Sequence, residues 1–370
     1  MNRVINKIVL LALLFAVSAC SNNNNDKTEI KEPEKPVATN IIYLIGDGMA
    51  LPQIYSTMVA TGQDLAFSHF PYTGIVTTKS ANKEITDSAA GGTALACGKK
   101  TNNSMVGMDA DSVPVPSILE VMHDSGKSTG IVVTCYVTHA TPASFFAKVP
   151  KRRMYEEIAE QMMDCDKLDV VIGGGRKHFN NREDGRDLLA EMKDKGWTVY
   201  DTLANIDSAC KRYAVIANDD HMPKAMDRGD FLPESVRTAL ATLSQNENGF
   251  FLMVEGSQID FGAHANDSLW MVTETVDFSN AINVALDFAK ADGHTLVVVT
   301  ADHETGGLTM IDQKGKYTDV NFNYSTGSHS CLPVMVFAYG PGAEQFTGWM
   351  DNTELFGKMF NAANVTDTIK

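Results

Sequence analysis

The chain has 370 residues, 44% hydrophobic and 21% charged, an ordinary composition for a soluble protein, and its length permits either one large α/β unit or two domains. Its formal net charge of −15 argues against an obligate nucleic acid partner, because phosphate backbones are held by clusters of Lys and Arg. An anionic ligand would have to be attracted by something other than net charge, and bound metal ions would meet that need.

The first nineteen residues have the pattern of an export signal. Arg3 and Lys7 provide a positive start, and Val9–Val17 is an apolar run too short to span a bilayer. The tetrapeptide that ends at Cys20, Val-Ser-Ala-Cys, has the form of a lipobox, in which this cysteine becomes the lipidated first residue of the mature protein. The alternative is a plain secretory signal. A lipobox predicts a membrane-anchored protein of the bacterial cell envelope that faces the periplasm or the cell exterior.

Residues 20–39 are rich in Asn, Lys, Glu and Pro and have almost nothing to bury, so they are predicted to be a flexible tether. Residues 40–370 are then the globular domain. Five cysteines remain after Cys20, and their spacing shows no CxxC pattern. An exported protein could pair Cys165 with Cys210.

Short apolar runs alternate with helical patterns along the domain. Each run is rich in β-branched residues and lacks alternation, which predicts strands buried on both faces. The runs are Ile41–Ile45, Gly130–Thr134, Asp169–Ile172, Phe251–Val254, Leu296–Thr300 and Val334–Tyr339. Helical patterns cover Met154–Met163, Ser235–Leu243 and Leu269–Ala289, the last with Asp267 or Ser268 as its N-cap. The alternation predicts an α/β fold with a doubly wound, mostly parallel central sheet flanked by helices.

Potential metal ligands come at the ends of these strands. Asp47, Glu255 and the pair Asp302-His303 each follow or end an apolar run, and ligands of such sheets bind beyond the carboxyl ends of the strands. Asp47 alone could be a turn residue. The Asp-His pair is the stronger signal, because two ligand-capable side chains are costly to bury unless something uses them.

Two further candidates lie outside the strands. Asp260 and His264 are four residues apart, so one helical turn would bring them to the same face, although a surface pair is the alternative. His329 lies in a loop before the last strand. Together these oxygen and imidazole ligands suit zinc at mixed sites and magnesium at all-oxygen sites.

Ser88 is the candidate nucleophile. The small residues after it would let a helix begin close to the sheet, with its backbone N–H groups facing an anion, although a simple N-cap is the alternative. A serine hydroxyl needs a base or a metal to attack, and no G-x-S-x-G elbow surrounds Ser88, so metal activation is the simpler mechanism. Arg152 could hold two phosphate oxygens, or could belong to a solvated basic patch.

These motifs together resemble the alkaline phosphatase family, over roughly residues 40 to 361 and in the same order. The segments that carry the resemblance are Ile45–Met49, Thr86–Ala90, Thr138–Pro142, Val171–Arg176, Val254–Gly256 through Ile259-Asp260 to His264, Thr300–Glu304 and Phe337–Gly342. The resemblance implies hydrolysis of small phosphate monoesters by double displacement through a phosphoserine at Ser88. It also implies a possible homodimer.

The resemblance further implies two zinc ions and one magnesium ion. The implied ligands are Asp260, His264 and His329 for one zinc, Asp47, Asp302, His303 and Ser88 for the other, and Asp47, Thr141 and Glu255 for magnesium. Arg152 falls where the family places its phosphate-clamping arginine. His139 and Phe261 depart from some members, and both departures concern the third metal site and phosphate affinity. Cys331, close to His329, is either a competing soft ligand or a structural thiol.

The sequence leaves other functions open. A related hydrolase could act on phosphodiesters, but a second ester group would need the space of Arg152. A sulfatase lacks its modified-cysteine motif here. A non-catalytic anion-binding lipoprotein would be expected to lack the nucleophile or a ligand, and the sequence lacks neither.

Overall fold

All six predicted buried runs form strands in the computed structural model, which describes residues 36–207, 209–313 and 316–365. The predicted signal peptide, Cys20 and most of the tether lie outside the described residues. The strands are β1 Asn40–Gly46, β2 Tyr72–Thr77, β3 Ser128–Tyr136, β4 Val170–Gly174, β5 Thr198–Tyr200, β6 Tyr213–Ile216, β7 Phe250–Gly256, β8 Thr295–Thr300, β9 Glu304–Thr305, β10 Leu308–Gln313, β11 Lys316–Tyr324, β12 His329–Ser330, β13 Val334–Tyr339 and β14 Gly348–Asp351.

Helices connect most of these strands. They are α1 Leu51–Thr61, α2 Ser88–Cys97, α3 Ile118–Asp124, α4 Ala140–Ala143, α5 Tyr155–Asp164, α6 Lys177–Asn180, α7 Leu188–Asp194, α8 Ala225–Arg228, α9 Phe231–Leu243, α10 Gln258–His264, α11 Ser268–Asp292 and α12 Glu354–Ala362. The three predicted helical patterns correspond to α5, α9 and α11, and Asp267 is the N-cap of α11, since its side chain accepts from the Trp270 N–H. Among the described residues, no helix is both long and apolar enough to cross a membrane.

Ten of the described strands form one sheet in the order β14-β2-β13-β8-β1-β7-β3-β4-β6-β5. Every pairing in it is parallel except those of β13, which runs antiparallel to both β2 and β8. The predicted fold class, a mostly parallel α/β sheet flanked by helices, is therefore confirmed. The central strand β1 is wholly buried between β7 and β8, which explains why its sequence shows no polar alternation.

The order of the central strands positions the site. Ile45 of β1 pairs with Glu255 of β7 on one side and with Thr300 of β8 on the other. Asp47 and Asp302, each two residues further on, therefore leave the sheet at the same edge as Glu255.

Helix α2 begins at this edge and lies unusually close to it. A Cβ atom on Gly91 would stand 2.9 Å from the carbonyl oxygen of Asp302, and one on Gly92 would stand 3.2 Å from the Cα of Thr141. The glycines after Ser88 are thus required by the close approach of α2 to the sheet edge. The cap of this helix is Asp87 rather than Ser88, because its carboxylate accepts from the Ala90 N–H.

The suggested disulfide between Cys165 and Cys210 is wrong, since both cysteines are free thiols in the structure. The Sγ of Cys210 instead lies 3.5 Å from the carbonyl oxygen of Arg212. The guanidinium of Arg212 donates to the carbonyl of Cys165, so an arginine links the two segments where a disulfide was suggested.

Candidate metal centre and active site

Two groups of metal-capable side chains meet beyond the carboxyl ends of β1 and β8. One group contains Asp47, Asp302 and His303, and the other contains Asp260, His264 and His329. Within each group the ligand atoms lie within 4.8 Å of one another. The groups adjoin, because the rings of His303 and His329 stack with their centroids 3.6 Å apart.

The hydrogen bonds of His264 and His329 define which ring nitrogen faces the centre. The Nδ1 atom of His264 lies 2.8 Å from the carbonyl oxygen of Gly327, and that of His329 lies 2.8 Å from the carbonyl oxygen of Thr86. A carbonyl oxygen only accepts, so each Nδ1 carries a proton, and in its neutral form each ring presents an Nε2 lone pair. These two Nε2 atoms face each other at 3.1 Å. Two opposed lone pairs repel unless a cation lies between them.

Asp260 completes this half of the site. Its Oδ1 atom lies 3.3 Å from Nε2 of His264 and 3.8 Å from Nε2 of His329. The four-residue spacing of Asp260 and His264 places both on α10, as the sequence indicated. One carboxylate and two imidazole nitrogens therefore converge, with bonds on the far side of each ring that hold the rings in place.

In the other group, the hydrogen bond of Nδ1 likewise determines which ring nitrogen of His303 faces the centre. The hydroxyl of Thr305 donates to Asp260, so it accepts from Nδ1 of His303, and the Nε2 lone pair of this ring faces the centre. That Nε2 lies 3.4 Å from Oδ1 of Asp47 and 3.2 Å from Oδ2 of Asp302. It also lies 3.1 Å from the Oγ of Ser88, which is buried at the first turn of α2.

The carboxylates of Asp47 and Asp302 are buried, and three of their four oxygens lack a hydrogen-bond partner among the described residues. These are both oxygens of Asp47 and Oδ2 of Asp302. Burial, followed by the charges of Asp302, Asp260 and Glu255, raises the pKa of Asp47 well above its usual range. Unpaired buried carboxylates are costly, and a divalent cation would remove the cost. The donor set therefore fits metal ions on grounds of burial, charge and lone-pair direction.

A third group lies next to Asp47. It comprises Cys135, His139 and Glu255, all buried, and the buried hydroxyl of Thr141 has no hydrogen-bond partner in the described part of the chain. Burial raises the pKa of Glu255 to about 7. The ring of Phe261 packs edge-on against His139, with ring centroids 5.9 Å apart, so this position contributes an aromatic wall.

Arg152 is held across the site by Asp87. Its Nη1 lies 3.3 Å from Oδ2 of Asp87, and its Nη2 lies 3.3 Å from Nε2 of His139. Burial alone would lower the pKa of Arg152, but the carboxylates of Asp87 and Asp47 raise it. An open cavity of about 830 Å³ adjoins this arginine. Its walls include Asn102, Arg153 and Tyr155.

The alkaline phosphatase family profile matches residues 38–324. The chain belongs to the alkaline phosphatase family. It is 39% identical over 320 residues to alkaline phosphatase 4 of Bacillus subtilis, and the aligned region covers 82% of this chain and 68% of that one. Members of the family hydrolyse phosphate monoesters with the help of metal ions, and this chain is such an enzyme.

Solved family members have the same fold. Alkaline phosphatase from the Antarctic bacterium TAB5 superimposes with a TM-score of 0.87 at 40% identity, over 90% of this chain and 100% of that one. A variant of the TAB5 enzyme, with Asp in place of a His, has Mg bound in its M3 site. It superimposes with a TM-score of 0.86 at 39% identity, over 90% of this chain and 100% of that one.

The structure brings together every side chain that the sequence proposed for the site. Two residues were missed as contributors. Asp87 directly precedes Ser88, and it both caps α2 and contacts Arg152. An aspartate directly before a run of small residues is a cap signal that could have identified it. Cys135 has no motif or spacing to mark it, and it reaches Glu255 only through the pairing of β3 with β7.

Proposed function

We propose that Ser88 is the nucleophile of this phosphomonoesterase and forms a phosphoserine during turnover. The observation that carries the proposal is the position of its hydroxyl, 3.1 Å from Nε2 of His303, at the meeting point of lone pairs and unpaired carboxylates. The N-terminus of α2 adds the partial positive charge of its first backbone N–H groups, which favours a phosphoryl group at Ser88.

We assign the two groups described first to two zinc ions, with Asp260, His264 and His329 for one and Asp47, Asp302 and His303 for the other. Bound zinc would supply Lewis-acid polarisation of the phosphoryl group and of the leaving oxygen. A third ion would be held by Asp47, Thr141 and Glu255, oxygen ligands that by themselves favour magnesium, with His139 beside them.

The remaining side chains orient the ester. Arg152 presents a planar set of N–H donors, which suits two oxygens of one phosphoryl group, and Asp87 holds it in place. The alcohol part of the ester would lie in the 830 Å³ cavity beside Arg152, against Tyr155. The cavity is open to solvent, so esters of different sizes are expected to fit.

Hydrolysis of an aryl phosphate by the domain from about residue 37, with and without chelator, tests the metal-dependent part of this proposal. The variant Ser88→Ala should lose most activity and keep its bound metal. Ser235→Ala is the matched control, because Ser235 is also buried and its hydroxyl has no hydrogen-bond partner among the described residues. Full activity in Ser88→Ala would refute the nucleophile assignment. Faster hydrolysis of a bis-aryl phosphate than of the aryl phosphate would favour the phosphodiesterase alternative.

We also propose that residues 1–19 are a lipoprotein signal, that Cys20 is lipidated, and that residues 20–39 tether a catalytic domain of residues 40–370 to the cell envelope, facing the periplasm or the exterior. The support is the lipobox pattern and the start of the family match at residue 38, close to the end of the tether. Labelled palmitate should enter the wild-type protein and be absent from Cys20→Ala, which should also leave the membrane fraction. Equal labelling of both would overturn the assignment.

A homodimer is the assembly we propose for the domain. Its support is a row of exposed apolar side chains on α1 at four-residue intervals, Leu51, Tyr55 and Val59, which share one helix face. Light scattering should give a dimer for wild type and a monomer for Tyr55→Asp. Val113→Asp, which changes an exposed apolar residue away from α1, should remain dimeric.

A further inference from the structure

The third metal group contains a thiol. Cys135 lies near the end of β3 and is fully buried. Its Sγ is 3.2 Å from Oε2 of Glu255 and 3.2 Å from the carbonyl oxygen of Tyr136. The ligand atoms of Cys135, His139 and Glu255 lie within 4.8 Å of one another, so a single ion could contact all three.

Neighbouring hydrogen bonds fix this group. The hydroxyl of Ser257 accepts from the N–H groups of Thr134 and Cys135 and donates to Oε2 of Glu255 at 2.6 Å. The main chain around the thiol and the carboxylate next to it are therefore held by one shared hydroxyl. A site fixed in this way needs little rearrangement before an ion binds.

Two polar oxygen atoms of the group are nevertheless left without partners. They are Oε1 of Glu255 and the hydroxyl of Thr141, both buried and without a hydrogen-bond partner in the described part of the chain. His139 is 8% exposed, and Glu255 and Thr141 are fully buried. Unpartnered buried atoms around a thiol are the arrangement expected where an ion binds, since burial alone would penalise each of them.

We propose that Cys135 is a ligand of the third metal ion and that its thiolate makes this site select a thiophilic divalent ion such as zinc over magnesium. The inference rests on the proposed three-site arrangement and refines its third site. Thiolate ligands favour zinc, whereas magnesium demands oxygen ligands and keeps several waters. As the ion binds, the S–H bond of Cys135 breaks, its proton leaves to solvent, and a sulfur–metal bond forms without any change of oxidation state.

Two other thiols are natural controls. The Sγ of Cys97 is also buried but lies near the carbonyl oxygens of Val115 and Ser144, away from the third group. Cys331 is exposed and stands two residues after His329, so it is the competing source of sulfur for a neighbouring site. Replacing Cys135, Cys97 and Cys331 one at a time by serine shows which of the three thiols binds the ion.

Cobalt substitution tests the proposal directly. Metal-free protein loaded with cobalt(II) should develop a near-ultraviolet thiolate-to-cobalt charge-transfer band in wild type, in Cys97→Ser and in Cys331→Ser. The band should be absent from Cys135→Ser. A fully loaded wild type without the band, or a band that disappears only in Cys331→Ser, would overturn the assignment.

A measurement on wild type alone covers the case in which the variant fails to fold. X-ray absorption of the zinc-loaded protein should show a sulfur neighbour at about 2.3 Å from part of the zinc. In competition with excess magnesium, wild type should keep a third zinc ion. Cys135→Ser should bind that ion at least about tenfold more weakly, since losing even an outer-shell partner lowers metal affinity by about that factor. A sulfur-free zinc shell in an enzyme that still hydrolyses aryl phosphate would refute the role of Cys135 and leave the proposed function standing.

Discussion

Replacing Asp87 separates two roles that its carboxylate performs. Oδ1 accepts from the Ala90 N–H at 3.0 Å and so caps α2. Oδ2 accepts from the Ser104 N–H at 3.0 Å and contacts Nη1 of Arg152 at 3.3 Å. Asp87→Asn can keep the cap, since Asn is as good an N-cap as Asp. It loses the negative charge facing Arg152, and its amide NH2 cannot accept from the Ser104 N–H, which is exposed and can bond to water instead. Asp87→Ala loses both the cap and the charge.

The magnitudes follow from these contacts. For Asp87→Ala the lost cap should cost about 1 kcal/mol of unfolding free energy, while Asp87→Asn should stay within about 0.5 kcal/mol of wild type. The pair with Arg152 has one long contact, and its side chains are 20% and 18% exposed, so solvent screening limits its contribution to about 1 kcal/mol. Both variants should therefore bind inorganic phosphate about fivefold more weakly, because the guanidinium is no longer held in place.

The assay is competitive inhibition by phosphate of aryl phosphate hydrolysis, alongside thermal unfolding. Asp187→Asn is the matched control, because Asp187 caps α7 in the same manner but has no contact with Arg152 among the described residues. It should change neither measurement. If Asp87→Asn bound phosphate as tightly as wild type, the role of Asp87 in holding Arg152 would be refuted; if it were as unstable as Asp87→Ala, the division into two roles would be wrong.

Three further outcomes are expected. Arg228→Met should lower the unfolding free energy by about 3–5 kcal/mol, because it leaves two buried carboxylates unpaired, whereas Arg237→Met, at an exposed pair, should cost under about 1 kcal/mol in the same denaturant titration. Gly91→Ala should lower activity and cost about 1–3 kcal/mol, because its Cβ would stand 2.9 Å from the carbonyl of Asp302, while Gly357→Ala, which has open space within α12, should be neutral or stabilising. Chelation should lower the melting temperature, and added zinc should restore it, because the ions bind only the folded site; an unchanged melting temperature after verified metal loss would contradict the metal assignment.

Part of this protein was predictable from local sequence. Buried runs without alternation predicted the six strands because a strand covered on both faces needs apolar residues at every position. The predicted strands also placed Asp47, Glu255 and Asp302 at one edge of the sheet, since the carboxyl ends of parallel strands lie on the same side. The short strands β5, β6 and β14 were missed, because three or four residues in a pattern do not distinguish a strand from a loop. The six-residue strand β2 was missed because Gly74 and its threonines interrupt the apolar run.

The order of the segments and their distant contacts were decided by the tertiary structure. No local pattern indicates that Asp87 contacts Arg152, 65 positions away, or that Nε2 of His264 faces Nε2 of His329. The thiol of Cys135 reaches Glu255 only because β3 lies beside β7 in the sheet. The hydrophobic periodicity of the sequence indicates which residues are buried. Contacts between side chains that are distant in sequence depend on strand order and on where each strand ends. The sequence by itself therefore determined the fold class and the family and predicted most of the candidate ligands, and the tertiary structure decided which atoms face one another.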